Sequence, residues 1–257
     1  MSFRRSAAIA RHEIRVLRHD PMPLVVLLVL PLIMAPIYRS TFRAALLFGG
    51  YPHASGSDYA VPAMIVQFGF FLVPFTGFLF FREYIWKTWP RLRATRAKPV
   101  EIVIGKAVPM VVLGIVQVTV LVAFGVLVLD LHLHGELGAL VAVTIVYVCC
   151  AVAIGVALTA FVRTSQQLNA LGFLGATVLG AIGGALVPLS TLPHWVRHLS
   201  PFTPQYWAMR ATNDLVLHGT TAGAILLPIL VLAGFMFASI TLAVRRLTFD
   251  NRNVGWN

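Results

Sequence analysis

The chain has 257 residues, of which 58% are hydrophobic and only 11% charged, against roughly 25% charged in soluble domains. So few charges cannot cover a water-soluble surface, so the composition excludes both a soluble fold and a disordered chain and points to an integral membrane protein. The net charge of +11 would suit a nucleic acid, but most basic residues stand at the ends of apolar runs, as they do on the cytoplasmic side of a bilayer. No nucleic-acid partner is expected.

Residues 3–18 predict an amphipathic helix, with Phe3, Ala7, Ala10, Ile14 and Leu17 on one side and Arg4, Arg11, Arg15 and Arg18 on the other. Such a helix lies in the inner membrane interface. Asp20-Pro21 closes it. A spanning helix needs about 20 apolar residues, and six runs meet that need: Pro21–Tyr38, Ala60–Phe81, Ala107–Leu129, Gly138–Val162, Leu168–Leu189 and Ala222–Val244. None contains an ionisable residue. The first is the shortest and holds Pro31 and Pro36. It is read as a permanent span that continues past Tyr38, because no A-x-A cleavage site follows it.

Between the runs lie an outer loop at 39–59 with breakers Gly49, Gly50, Pro52 and Gly56, and a basic cytoplasmic loop at 82–106 with Tyr84, Trp86 and Trp89. An outer segment at 190–221 follows, in which Trp195, Phe202, Tyr206 and Trp207 alternate with prolines. Thr203 caps a short helix there, with Pro204 at its first position and Gly219 at its end. Sixteen Lys and Arg fall on the side of residues 1–20, 82–106, 163–167 and the tail, and four (Arg39, Arg43, Arg197, Arg210) on the other. That asymmetry puts both termini in the cytoplasm, in agreement with an even number of spans. The expectation is one all-α integral membrane domain over 1–257: six transmembrane helices, an N-terminal interfacial helix, and a re-entrant or outer helical segment before the last span.

The absent chemistry narrows the function. Ion-driven carriers normally hold ionisable groups inside their spans, and these spans offer only residues such as Gln67, Gln117, Thr119, Asn169 and Thr177. A sodium site of carbonyls and hydroxyls stays compatible with them. No H-E-x-x-H, G-x-S-x-G or phosphate-loop motif occurs; Gly105-Lys106 has Val100 where the loop needs glycine. Asp130, His132, His134 and Glu136 crowd one outer turn, a possible metal set that reads more simply as a wet turn. Cys149-Cys150, adjacent in an apolar run, cannot close a disulfide loop. A body without its own energy source but with a structured cytoplasmic loop fits either a transport subunit driven by a soluble partner or a structural and assembly subunit.

Several features in order carry a resemblance: Arg18-His19-Asp20-Pro21; Phe81-Arg82-Glu83; Thr88, Leu92, Thr95, Lys98-Pro99, Glu101 and Gly105-Lys106; Leu192-Pro193-His194-Trp195; and Ser200-Pro201-Phe202-Thr203-Pro204-Gln205-Tyr206-Trp207-Ala208. Over essentially its whole length the chain resembles the type 2 permeases of ATP-binding-cassette exporters, the drug, lipid and polysaccharide class. Relatives often carry glycine before the loop threonine, where this chain has Lys87.

The resemblance implies two six-span permeases, the second a copy or a paralogue, each docked on a separate ATPase subunit. That subunit binds ATP and Mg; this chain binds no cofactor. The expected location is a bacterial-type inner membrane. By analogy residues 85–97 form a coupling helix, with Glu83, Trp86, Lys87, Trp89, Leu92 and Arg93 as ATPase-coupling residues. Trp86, Trp89 and Leu92 form one edge at helical spacing, of the aromatic kind common at interface centres; the same aromatics would also serve to anchor the second span. Glu83 and Lys106 flank the loop, where they either transmit force or stand as solvated charges. The second and fifth spans would line the path for an amphiphilic substrate through Gln67, Phe71, Phe75, Phe78, Asn169, Phe173 and Thr177, though phenylalanines of this kind also suit a lipid-facing surface. Trp195, Phe202 and Tyr206 would belong to an outer lid.

Overall fold

A computed structural model describes residues 3–48, 55–88, 94–95, 98–133, 135–217, 219–220 and 223–246. The described residues are mostly helical, with no strand among them. Five helices are long and apolar enough to cross a membrane: Met22–Leu47, Ser57–Glu83, Val100–Val128, Leu137–Thr159 and Leu226–Arg246. They are called here the first to fourth and the last spanning helices.

Prolines shape the first two. Pro31 lacks the N–H that would reach the Leu27 carbonyl, and a widened π turn, Val25–Val29, lies just before it. The first helix then continues to Phe48. The expected continuation past Tyr38 is thus helix as far as Phe48, which shortens the loop expected at 39–59, and Arg39 pairs with Asp130 at 3.0 Å. The second spanning helix breaks between Phe70 and Leu72, where Pro74 cannot donate to the Phe70 carbonyl. This helix is the most enclosed of the five. It packs against the first, third and fourth spanning helices and the helix Pro204–Leu217.

Glycine sets two of these approaches. A Cβ on Gly155 of the fourth helix would sit 2.7 Å from the Val73 carbonyl, and one on Gly114 of the third would meet Val148 at 2.6 Å. Tyr147 is buried between helices and donates its hydroxyl to the Val66 carbonyl at 2.6 Å. A buried donor with such an acceptor avoids the penalty of an orphaned polar group.

The predicted fifth run departs from expectation. It folds as Ser165–Asn169, a π turn Ala170–Leu174 and Gly175–Ile182, and does not qualify with the five long apolar helices. The helix starts at Ser165, three residues before the run, so that Gln166 and Gln167 join Asn169 in lowering its hydropathy, and Gly172, Gly175 and Gly180 lower its helix propensity. Thr164 caps its start through Gln167 N–H. After Gly183 the chain turns at Gly184, whose φ of 91° suits glycine alone.

The outer segment is more deeply packed than a surface-lying helix. Thr203 accepts from the Tyr206 N–H at 3.3 Å and Pro204 opens the helix, which ends at Leu217 with Gly219 at φ 59°. Its Gln205, Ala208, Ala211, Thr212 and Leu215 are buried against the second, fourth and last spanning helices.

Candidate functional site

The N-terminal helix Phe3–His19 forms as expected, but its buried face is rotated. Ser6 and Glu13 are enclosed, whereas Ile14, expected on the apolar side, is 40% exposed. The cause is the third spanning helix, on which this helix packs. A Cβ on Gly105 would stand 2.7 Å from Ile9 Cβ and 3.0 Å from the Ser6 carbonyl. Only glycine permits that approach, and it delivers Glu13 to the C-terminal end of the second helix and the N-terminal end of the third.

There four ionised side chains meet. Lys106 Nζ donates to Glu13 Oε1 at 2.6 Å, to Glu83 Oε1 at 2.7 Å and to the Leu79 carbonyl at 3.0 Å. Arg82 donates to the other oxygen of Glu13, and the Thr88 hydroxyl to the Glu83 carboxylate. Glu13 and Lys106 are each 1% exposed. Two acids face two bases, so the formal charge of the knot closes to zero, which is what makes its burial tolerable. The solvated reading of Glu83 and Lys106 is thus overturned: burial and three charge-assisted bonds hold Lys106 in place. Nearby, Glu101 accepts from the Lys98 N–H at 3.0 Å and faces Arg5 at 3.6 Å. This second tie joins the N-terminal helix to the start of the third.

The knot brackets the basic loop. The second helix runs on to Ile85 and the third begins at Pro99, so Arg82, Glu83, Glu101 and Lys106 are helical and only residues 86–98 connect. Trp86 is exposed and its ring lies 5.0 Å from the Arg82 guanidinium carbon. Lys87 has φ 54°, the left-handed region that costs an L-residue roughly 1–2 kcal/mol and glycine little. The departure from the relatives' glycine therefore falls where glycine is conformationally favoured. Trp89, Leu92 and Arg93 lie outside the described residues.

Of the expected pathway residues, the structure brings four into one neighbourhood. Phe71 and Phe75 meet Phe173 edge to face at 5.4 and 5.8 Å. Gln67 is buried and reaches the Ala176 carbonyl at 3.4 Å. Its Oε1 has no hydrogen-bond partner among the described residues and lies 1.8 Å from where a Gly180 Cβ would be. Phe78, Asn169 and Thr177 are exposed, and Thr177 bonds the Phe173 carbonyl of its own helix at 2.9 Å. Of the expected lid residues, Trp195 and Phe202 are 68% and 76% exposed, while Tyr206 is half-buried beside Trp207.

Sequence reasoning missed Glu13 and Asp58. Asp58, buried in the first turn of the second helix, accepts from the N–H groups of Ser55 and His132 at 2.7 and 3.0 Å. The acidic turn that follows the third helix is drawn to separate partners, Asp130 to Arg39 and His132 to Asp58. No metal-holding cluster occurs among the described residues, and His134 lies outside them.

The chain is 28% identical over 162 residues to the linearmycin resistance permease protein LnrN of Bacillus subtilis, covering 60% of this chain and 40% of that protein. It is 25% identical over 179 residues to the probable multidrug ABC transporter permease YbhR of Escherichia coli K12, covering 64% and 48%. The chain thus spans less than half the length of these curated relatives. No solved structure matches significantly. Residues 6–217, which include the buried charge knot and the helices it joins, match the family described as ABC-2 type transporter, and the chain belongs to that family.

Proposed function

We propose that this chain is the transmembrane subunit of an ATP-driven exporter for an amphiphilic, drug-, lipid- or glycan-like substrate. It works with a second permease, a copy or a paralogue, and with separate ATP-binding-cassette subunits that bind ATP and Mg. The observation that supports this reading most is the knot of Glu13, Arg82, Glu83 and Lys106. It fastens both ends of the 82–106 loop to each other and to the N-terminal helix, so a push on the loop moves three helices as one body.

The sixth crossing is assigned to 165–182. Eighteen helical residues rise about 27 Å, close to the ~30 Å hydrocarbon core. With six crossings both termini lie in the cytoplasm and the loop faces the ATPase. Trp86, Lys87, Trp89, Leu92 and Arg93 make the docking contact, and Glu83 passes the load inward. Closure of the ATPase pair favours the outward-open arrangement through differential nucleotide binding. The Phe71, Phe75, Phe78 and Phe173 surface, with Gln67, Asn169 and Thr177, lines the path. The segment with Trp195, Phe202 and Tyr206 closes it outside.

Purification from the native membrane in mild detergent tests the reading. An ATP-binding-cassette subunit is expected to copurify and turn over ATP, and Trp89→Asp or Leu92→Asp is expected to abolish its association while leaving membrane insertion intact. A chain that recovers no ATPase, and alone in liposomes pumps solute on a sodium or proton gradient, contradicts the proposal.

A further inference from the structure

A separate feature lies on the other side of the bundle. The third, fourth and last spanning helices leave between them an apolar cavity of about 600 Å³, within the roughly 300–1,000 Å³ of small-molecule sites. Val100, Ile104, Cys149, Met236, Ile240 and Val244 contribute to its wall. None of the expected pathway residues lines it. Val100 and Val244 mark its end beside the charge knot, and both are exposed. Just beyond them stand Lys98, Arg245 and Arg246, all exposed. Apart from Glu13 and Glu83, which the knot neutralises, the carboxylate near this end among the described residues is Glu101, buried and already held by Arg5 and the Lys98 N–H. An apolar slot with a cationic mouth is complementary to one kind of molecule available in a bilayer: an acyl chain carrying an anionic headgroup.

We propose that this groove binds one anionic phospholipid, its acyl chain between the three helices and its phosphate at Lys98, Arg245 and Arg246. The proposed topology enters only in naming the cytoplasmic leaflet as the source. Bound there, the lipid bridges the start of the third helix, about two turns before Lys106, to the end of the last helix. Neither end is otherwise tied to the other by a charged contact among the described residues.

The test is native mass spectrometry of the full chain in mild detergent, after equilibration with phosphatidylglycerol and phosphatidylethanolamine micelles. One phosphatidylglycerol per chain is expected to survive delipidation, preferred over phosphatidylethanolamine by about tenfold or more. Cys149→Trp, which fills the slot, and the combined Lys98→Gln, Arg245→Gln and Arg246→Gln exchange, which empties the mouth of charge, are each expected to remove that preference. Ala153→Leu serves if the tryptophan variant does not fold. Equal retention of both lipids, or a preference that persists in both sets of variants, overturns the proposal. So does a Cys149–Cys149 crosslink between chains in the bilayer, which would give the groove to a second copy. These readouts need no ATPase, so their failure is separable from failure of the exporter reading.

Discussion

Lys106 satisfies all three of its donors at once, on Glu13, Glu83 and the Leu79 carbonyl, and its removal would leave two acids with only Arg82 to balance them. Breaking a buried pair by deleting one partner costs about 3–5 kcal/mol. Lys106→Met is therefore expected to lower stability by roughly that amount in thermal unfolding in detergent, and Lys106→Arg to lose less. Lys87 makes a second residue-scale prediction. At φ 54° a β-branched side chain is more strained than lysine and glycine is relaxed, so Lys87→Val should unfold below Lys87→Gly by about 1–2 kcal/mol. The position of Lys87 stood out in the sequence because a family resemblance placed glycine there. Glu13 did not stand out. Its partners are 69 and 93 residues away, and a lone carboxylate on an arginine-rich helix reads as a surface charge.

At the scale of elements, close packing depends on glycine where no other residue fits. Gly105→Leu would drive a side chain into Ile9 and the Ser6 carbonyl, so it should detach the N-terminal helix and make that helix susceptible to limited proteolysis. Gly180 faces a side chain rather than a backbone, the buried amide of Gln67. Gly180→Ala is expected to be damaging alone and substantially rescued by Gln67→Ala, a coupling that a double-mutant cycle in thermal unfolding would register. The five long helices were legible because their apolar runs are long and uninterrupted, and the Thr203-Pro204 helix start because its capping chemistry is local. The fifth run was legible as apolar but not in its form, since its glycines weaken the helix and the helix actually starts at Ser165, upstream of the run, where Gln166 and Gln167 lower its hydropathy. The rotation of the N-terminal helix was hidden for a different reason: its period fixed an amphipathic helix, but tertiary pairing, not the moment of the helix, chose which residues face inward.

Across the whole molecule, the described fold divides into a glycine-mediated body, the helix Pro204–Leu217 packed into its far end, and a charge knot at the end that carries the 86–98 connection. Sixteen Lys and Arg on that side set the expected topology. A bilayer-impermeant thiol reagent should label a cysteine introduced at Trp86 only from the cytoplasmic side, and one at Trp195 only from outside. The central claim is that the work of an external ATPase enters through the loop and is carried by the knot. It is tested most directly by ATP-dependent export in proteoliposomes holding the chain with its ATPase, comparing the native chain with Glu13→Gln and Lys106→Met variants matched for insertion and for bound ATPase. The account predicts that ATPase binding persists while export falls by about tenfold or more, as expected when an interaction made differently in two states is lost. Undiminished ATP-driven export with the knot dismantled would contradict it.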